Sequence, residues 1–311
     1  MRRWSGWLAE PTAPAARRLP LERFGRRILF DLQAWADRRR VTRWGFEFLM
    51  FGLKQGWACL FGALMLALLL ATALWWPANT PLARYDFLVI AALVIQAGML
   101  AFKLESLDEA KVILAFHVAG TVMEIFKTHA GSWIYPEHSL LRIGGVPLFS
   151  GFMYASVGSY IARIWRIFGI RFTAYPPLWT TWLLAAGIYV NFFSHHWLPD
   201  IRLALFAVTA LLFWRTRFYF KPDRTYRWMP VLLGFVLVSL FIWMAENLGT
   251  YSHAWIYPSQ SRGWTLVPLA KMGSWFLLMI ISVVLVSIVR RPETFYAGNL
   301  SAEHDARSTM V

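Results

Sequence analysis

Two glutamates occupy matching positions of a repeated motif inside apolar sequence. Glu124 begins the segment EIFKTHAGSWIYP and Glu246 begins ENLGTYSHAWIYP, and six of the thirteen positions are identical. A carboxylate within an apolar helix costs about a few kcal/mol unless it is paired, hydrated or protonated. A glutamate present in both copies is therefore a candidate general acid or base.

A polar stripe surrounds the first glutamate. Steps of four, three and four residues place polar side chains on one helix face, at His117, Thr121, Glu124 and Thr128. The second copy, with Ser239, Trp243, Glu246 and Thr250, lacks the histidine. We therefore expect the first copy to carry the chemistry, with His117 tuning the proton affinity of Glu124. In the alternative, Glu124 only ties loop N–H groups together.

The rest of each motif supplies candidate substrate-binding residues. Large aromatic rings and hydroxyls would pack against a hydrophobic substrate, at Thr128, Trp133, Tyr135, Thr250, Trp255 and Tyr257. Lys271 adds a charge inside a later apolar segment, where it either pairs with a glutamate or extends to the membrane surface. The aromatic residues also fit the belt that many membrane proteins place at the lipid–water interface.

The histidines, with Glu124, Glu137 and Glu246 nearby, are alternative candidates for the ligands of a metal ion. Five of the seven fall in the connections near the repeated motifs, at His129, His138, His195, His196 and His253. No two of them have a metal-binding helical spacing such as H-E-x-x-H. The sequence therefore predicts no metal site, and it contains no glycine-rich nucleotide loop or nucleophile elbow that would indicate a cofactor.

The composition defines the class of protein that must position these residues. Hydrophobic residues make up 58% of the 311 residues and charged residues 15%, while the net charge is +14. The basic residues stand in short runs between long apolar segments, as in membrane proteins, and not on a surface that would bind nucleic acid. We predict an all-α, polytopic protein embedded in a lipid bilayer.

Eight apolar segments are candidate membrane spans, since a helix needs about 17–25 residues to cross a bilayer. They lie near residues 51–75, 85–102, 112–126, 146–167, 178–193, 201–213, 229–245 and 266–289. The third and the sixth are short. The connections between the segments leave no room for a soluble domain.

The repeat and the charges predict how the spans are arranged. The motifs are 122 residues apart, and V-P-L recurs at residues 146–148 and 267–269. Four spans fit into that interval, which predicts two parallel four-helix repeats, residues 49–170 and 171–291. Positive residues are concentrated in the even-numbered connections and at both termini. Both termini are therefore expected in the cytoplasm, with the motifs on the outer face.

The two ends of the chain are predicted to lie outside the spans. Residues 1–48 form a basic cytoplasmic arm with 11 Arg and 5 acidic residues. Apolar residues recur within it at helical spacing, at Leu21, Phe24, Ile28, Leu32 and Trp35. This pattern is typical of an amphipathic helix on an anionic membrane surface, although a partner-binding arm is the alternative. Residues 292–311 are expected to be a disordered tail.

Three segments resemble the YoaT-like family of bacterial integral membrane proteins, described as a domain of unknown function. They are residues 51–62 (FGLKQGWACLFG), 124–137 (EIFKTHAGSWIYPE) and 145–156 (GVPLFSGFMYAS). The resemblance implies a location in the bacterial inner membrane. A weaker likeness to membrane carotenoid cyclases and hydratases rests on the G-x-W-x-Y loop, but here Pro147 is followed by Leu-Phe-Ser and not by paired glutamates.

Three functions are compatible with these features. The first is an enzyme or binding protein for a lipid- or isoprenoid-like molecule, with a cleft between spans three, four, seven and eight. The second is a proton-coupled small-molecule transporter whose two halves rock against each other. The third is a structural or binding membrane protein without turnover. The first two need Glu124 and Glu246 to converge on one site.

Overall fold

A computed structural model describes residues 33–77 and 79–294. This part of the chain contains nine long helices, which are α1 Arg40–Ala58, α2 Leu60–Trp75, α3 Arg84–Ala101, α4 Leu107–His129, α5 Phe149–Ile167, α6 Leu178–Ser194, α7 Arg202–Phe213, α8 Val231–Tyr251 and α9 Ala270–Val289. Most of the predicted surface helix in the basic arm, and the tail beyond residue 294, lie outside the described residues.

Two small sheets join the helices. β1 (Arg142–Ile143) and β2 (Val146–Pro147) form an antiparallel pair just before α5. β3 (Arg171–Thr173), β4 (Arg217–Phe220) and β5 (Arg227–Pro230) form an antiparallel sheet in that order. The larger sheet connects the ends of helices that are far apart in sequence, because β3 follows α5 and β4 follows α7.

Three helices are long and apolar enough to cross a membrane by length and composition, namely α3, α8 and α9. A fourth candidate is the pair α1 and α2, which passes the same test when taken together but is bent by 65° at its break. These helices indicate a membrane protein.

Each predicted span contains a helix, but not each helix is a sufficient crossing by itself. The first span is divided at Cys59 between α1 and α2. The sixth is α7, whose 12 residues at about 1.5 Å per residue reach only about 18 Å. The hydrocarbon core of a bilayer is about 30 Å thick. The eight-span arrangement therefore stays a prediction.

Successive helices run in alternating directions. Arg84, at the start of α3, donates to the carbonyl of Ser252, which directly follows α8. Lys127, near the end of α4, meets His195 at the end of α6, and Arg202 at the start of α7 meets Ser274 of α9. We call this side the motif end. It gathers the ends of α2, α4, α6 and α8 and the starts of α3, α5, α7 and α9.

The opposite side, here the basic end, contains a buried ion pair. Arg163 is 0% exposed and donates to Glu105 at 2.9 Å and to the carbonyl of Trp57 at 3.1 Å. Next to it, Arg166 pairs with Glu109, which also completes the capping box that begins α4. These contacts join the first turn of α4 to the last turns of α5.

Helices α4 and α5 pack closely because glycines leave space for large side chains. A Cβ added to Gly120 of α4 would lie 2.7 Å from the ring of Tyr154 on α5. Close packing of this pair places Tyr154 beside the last two turns of α4, where Glu124 lies.

Candidate functional site

Glu124 lies in a cage of aromatic hydrogen-bond donors. The indole of Trp133 and the hydroxyl of Tyr135 both donate to its Oε2 at 2.6 Å. The hydroxyl of Tyr154 donates to Oε1 at 2.7 Å. The glutamate is 4% exposed, so these bonds replace the water that its carboxylate has lost.

Glu246 has a smaller cage of the same kind. The hydroxyl of Tyr257 donates to its Oε1, and the indole of Trp275 donates to Oε2 at 2.6 Å. Glu246 is also 4% exposed. Each carboxylate is thus bound by an aromatic residue of its own motif loop and by one from the helix that follows.

The two cages differ in one donor. Trp255 stands where Trp133 stands in the first motif, but its ring packs over Gly249 and no bond to Glu246 is described. A Cβ on Gly249 would lie 2.2 Å from that ring, so a residue without a side chain is required here. In the first motif the residue equivalent to Gly249 is Lys127. Because Lys127 has a side chain, Trp133 cannot pack over this position as Trp255 does in the second motif.

The two motif loops are joined directly. The backbone N–H of Ile134 donates to the carbonyl of Ile256 at 3.0 Å, and the reverse bond is 2.9 Å long. Next to this bridge, the rings of Trp133 and Tyr257 pack edge to face at 5.9 Å. Because Trp133 donates to Glu124 and Tyr257 donates to Glu246, this ring pair joins the two cages. The structure therefore brings both glutamates to one place.

Lys271 projects from the first turn of α9 onto this bridge. Its ammonium lies 4.5 Å from the ring centre of Tyr257 and 5.9 Å from that of Trp133. It also interacts electrostatically with Glu246. No ion pair of Lys271 within 4 Å is among the contacts of the described residues, so its pairing with a glutamate stays a prediction.

The first three residues of α3 bind both motif loops. Arg84 is buried and binds Glu137 of the first loop as well as the carbonyl of Ser252 after α8. The hydroxyl of Tyr85 donates to the carbonyl of Ala254 at 3.0 Å. Asp86 accepts from the backbone N–H groups of Leu140 and Leu141. These three consecutive residues hold the loops in register.

The polar stripe on α4 faces α5. His117 packs on Phe152 with 4.4 Å between ring centres, and its buried Nδ1 has no hydrogen-bond partner among the described residues. Thr121 donates to the carbonyl of His117 at 2.7 Å. The described donors to Glu124 do not include His117, so the expected tuning of Glu124 by that histidine stays a prediction.

The two threonines of the motifs have different surroundings. The buried hydroxyl of Thr128 has no partner among the described residues. Thr250 accepts a hydrogen bond from the indole of Trp264 at 3.1 Å and donates to the carbonyl of Asn247 at 3.1 Å. Thr250 therefore stabilises the loop after α8, and Thr128 retains unused hydrogen-bonding capacity.

A narrow apolar cleft with a volume of about 20 Å³ lies beside Tyr154 of the first cage. It runs between α4, α5, α6 and α9 and is lined by residues that include Phe116, Met123, Tyr154, Tyr189 and Leu278. The sequence predicted a cleft between spans three, four, seven and eight, whereas the observed cleft lies between spans three, four, five and eight. Helix α6 takes that position because it packs against α9 and contributes Tyr189.

The tyrosines of the two loops are held in their neutral form. Burial raises the pKa of Tyr135 well above its usual value, and the adjacent Glu124 carboxylate raises it further. Burial and the Glu246 carboxylate have the same effect on the pKa of Tyr257. Both hydroxyls therefore keep their protons and act as donors to the carboxylates.

The histidines do not gather as metal ligands. Among residues 33–77 and 79–294, no three His, Cys, Asp or Glu side chains are grouped closely enough to hold a metal ion. Instead, His195 and His196 both face Lys127, at 3.3 and 3.1 Å from its ammonium.

Two donors and one buried arginine are not among the residues predicted from the sequence. The donors Tyr154 and Trp275 are 121 residues apart, the offset that relates the two V-P-L segments, so the repeat does relate them. In the sequence, Arg84 is only a charge in a connection. Its burial between α2, α8 and the first loop has no signal in the sequence.

Residues 47–283 match the model of a family described as "Protein of unknown function (DUF817)". The chain is also 43% identical over 242 residues to "Uncharacterized protein YoaT" of Bacillus subtilis (strain 168), which covers 78% of this chain and 90% of that protein. No solved structure matches the chain. Both matches agree with the resemblance carried by the three sequence motifs.

Proposed function

The chain belongs to the DUF817 family of proteins of unknown function, and we propose that it is a membrane protein that binds a lipid- or isoprenoid-like molecule at its motif end. In this proposal the ligand's apolar part enters between α4, α5, α6 and α9, where the cleft of about 20 Å³ widens to admit it. Its polar part reaches the caged glutamates.

The proposal rests on the position of Tyr154. The ring of Tyr154 lines the apolar cleft, while its hydroxyl donates to Oε1 of Glu124 at 2.7 Å. A hydrophobic molecule in the cleft would therefore lie directly beside a polar group connected to the buried carboxylate. Small-molecule sites commonly combine apolar walls with a few placed polar groups in this way.

Glu124 has the capacity to bind a further donor. Its Oε2 already accepts two hydrogen bonds, whereas its Oε1 accepts only that of Tyr154 among the described residues. A carboxylate oxygen has two lone pairs, so Oε1 is the atom that would accept a ligand hydroxyl or exchange a proton with the ligand. In an enzyme of this kind, Glu124 would be the general acid or base.

We further propose that the motif end faces outward and the basic end faces the cytoplasm, with eight crossings in two four-helix halves of a bacterial inner-membrane protein. The alternating helix directions and the two matching cages support this arrangement. The basic end contains Arg163, Arg166, Arg171, Arg217 and Arg227, as the positive-inside rule requires.

The cleft can be tested by filling it. The protein is purified in detergent, and the hydrophobic molecules that co-purify are extracted and identified by mass spectrometry. Ala119→Phe places a ring in the cleft, while Ala115→Phe places the same ring one turn earlier at an exposed position. We expect an enriched hydrophobic species with the wild type and Ala115→Phe but not with Ala119→Phe. Equal recovery from both variants would refute the cleft as the binding site.

Turnover is tested separately. Lipids and isoprenoids are profiled without selection in a deletion strain complemented with the wild type or with Glu124→Gln. A species that changes between the two strains would indicate an enzyme. Identical profiles, together with ligand recovery from the purified protein, would indicate binding without turnover.

A transporter would require the motif end to open and close. Rocking of the two halves would have to open the motif end, where Ile134 and Ile256 exchange two backbone hydrogen bonds and Arg84 bridges both loops. Proton flux in reconstituted vesicles that disappears with both Glu124→Gln and Glu246→Gln would favour this alternative.

A further inference from the structure

Lys127 is a buried cation without a carboxylate partner. It is 4% exposed, and none of the ion pairs within residues 33–77 and 79–294 includes it. Its ammonium lies 4.3 Å from the ring centre of Phe192 and contacts two imidazoles. A buried charge normally requires an opposite charge or several hydrogen bonds.

The tautomer of one imidazole follows from its other contact. Nδ1 of His195 lies 2.9 Å from the carbonyl of Asn191, so it donates and carries the proton. Nε2 of His195 therefore presents its lone pair to Lys127. Two neutral imidazoles can accept hydrogen bonds from the ammonium, but they contribute no negative charge to balance it.

The neighbouring charges add to the positive potential. Lys271 and Arg202 both interact electrostatically with Lys127, as does Asp200. Arg202 donates to Asp200 at 2.7 Å, and this bond holds the pKa of that carboxyl well below its usual range. Asp200 is thus already paired with Arg202, which leaves Lys127 as the cation of this cluster that has no carboxylate of its own among the described residues.

The cluster can be reached from outside the protein. His196 is exposed and lies 3.1 Å from Lys127, so it covers the buried ammonium from the solvent side. The hydroxyl of Thr128, the next residue in the chain, is buried and without a described partner.

We propose that Lys127 and His196, with Lys271 and Arg202 nearby, bind a phosphate-type oxyanion at the motif end, while His195 positions the Lys127 ammonium. The ammonium forms charge-assisted hydrogen bonds to phosphate oxygens, and the His196 imidazole adds an N–H when it turns its donor nitrogen to the anion. The inference rests on the proposed function for the ligand's hydrophobic part and deepens it by assigning a phosphate headgroup. Free inorganic phosphate has the same chemistry and is the second possible source.

Three probes separate these sources. Binding to the full chain in an uncharged detergent is measured by titration calorimetry with inorganic phosphate, with dioctanoyl phosphatidic acid and with dioctanoylglycerol. The last two share their tails and differ in the phosphate. We expect the phosphatidic acid to bind more tightly than dioctanoylglycerol. Tight binding of inorganic phosphate, with no gain from the tails, would assign the site to the free anion.

The variants test the assigned residues. Lys127→Gln should weaken phosphatidic acid binding by about 10-fold, equivalent to the loss of one charge-assisted hydrogen bond, and leave dioctanoylglycerol unaffected. Arg262→Gln removes an exposed charge from a loop at the motif end and should change neither. Because Lys127 is buried, His196→Gln at the exposed edge provides a second variant with less effect on folding and should also weaken phosphatidic acid binding.

The outcomes distinguish this inference from the proposed function. Equal phosphatidic acid affinities for Lys127→Gln, His196→Gln and Arg262→Gln would overturn the oxyanion site. A wild type that binds neither inorganic phosphate nor phosphatidic acid in preference to dioctanoylglycerol would overturn it too. Ala119→Phe should abolish dioctanoylglycerol binding and leave inorganic phosphate binding intact. Unchanged dioctanoylglycerol binding in Ala119→Phe would refute the cleft and leave the oxyanion site standing.

Discussion

Replacing each caged glutamate by alanine should destabilise the protein unequally. Glu124→Ala leaves three aromatic donors without an acceptor, at Trp133, Tyr135 and Tyr154. Glu246→Ala leaves two, at Tyr257 and Trp275. The asymmetry follows from Trp255, which packs over Gly249 and does not take part in the second cage.

The magnitude follows from the number of donors. An unsatisfied buried donor costs about 1–3 kcal/mol, so Glu124→Ala should lower the free energy of unfolding by about 3–9 kcal/mol and Glu246→Ala by about 2–6 kcal/mol. Each variant also removes one carboxylate that is 4% exposed. The cost of burying that carboxylate cancels in the comparison, so the difference between the variants should equal one donor, about 1–3 kcal/mol.

Unfolding in mixed micelles with increasing SDS, followed by tryptophan fluorescence, measures this difference. Tyr154→Phe provides the control, because it removes one donor from the first cage and leaves the ring that lines the cleft. In the Tyr154→Phe background, Glu124→Ala should cost about as much as Glu246→Ala does alone. An equal cost of the two alanine variants in the wild-type background would refute the donor count.

Three further predictions concern packing, the buried ion pair and pH. Gly249→Leu should destabilise the protein by about 1–3 kcal/mol because its Cβ would collide with Trp255. The control is Gly98→Ala, where nothing lies within 4 Å of the added carbon, and it should not lower the melting temperature. Glu105→Gln should lower the free energy of unfolding by about 3–5 kcal/mol because it leaves Arg163 buried without this ion pair. Asp108→Asn, which breaks an exposed pair with Lys111, should lower it by less than about 1 kcal/mol in the same unfolding assay. Because burial raises the pKa of Tyr135 and Tyr257, the unfolded chain releases their protons first, so stability should fall as the pH rises above about 10, the usual tyrosine value. The melting temperature of the Tyr135→Phe/Tyr257→Phe variant should fall less over that range, and an identical decline would contradict the assignment.

Much of the fold followed from local sequence. Each of the eight apolar segments contains a helix because hydrophobic composition and length decide helix formation locally. The short sixth segment was predicted and corresponds to the 12 residues of α7. The bend at Cys59 was not predicted, since a kink depends on how the neighbouring helices pack. The three-stranded sheet was missed for a similar reason, because its strands are only three or four residues long and pair across about 45 residues of chain.

The site was predicted in its parts and not in its connections. The repeat identified Glu124, Glu246 and the aromatic residues after them, and the structure places Trp133, Tyr135 and Tyr257 against the two glutamates. Their role as a functional site stays a prediction. The sequence could not show that Trp133 donates to a glutamate while Trp255 does not, because that choice depends on the space above residue 249. Lys127 and His195 are 68 residues apart, and only the packing of α4 against α6 brings them into contact.

The sequence by itself determined the class of the protein, the positions of its apolar helices and the two glutamates that stand out within them. Composition and periodicity suffice for these features, because each depends on residues within one or two helical turns. Only the tertiary structure decided which groups surround each glutamate, how the two loops join at Ile134 and Ile256, and why Lys127 has imidazoles and no carboxylate beside it. Those contacts link residues from 9 to 122 positions apart, and their geometry depends on side-chain volumes in several helices at once.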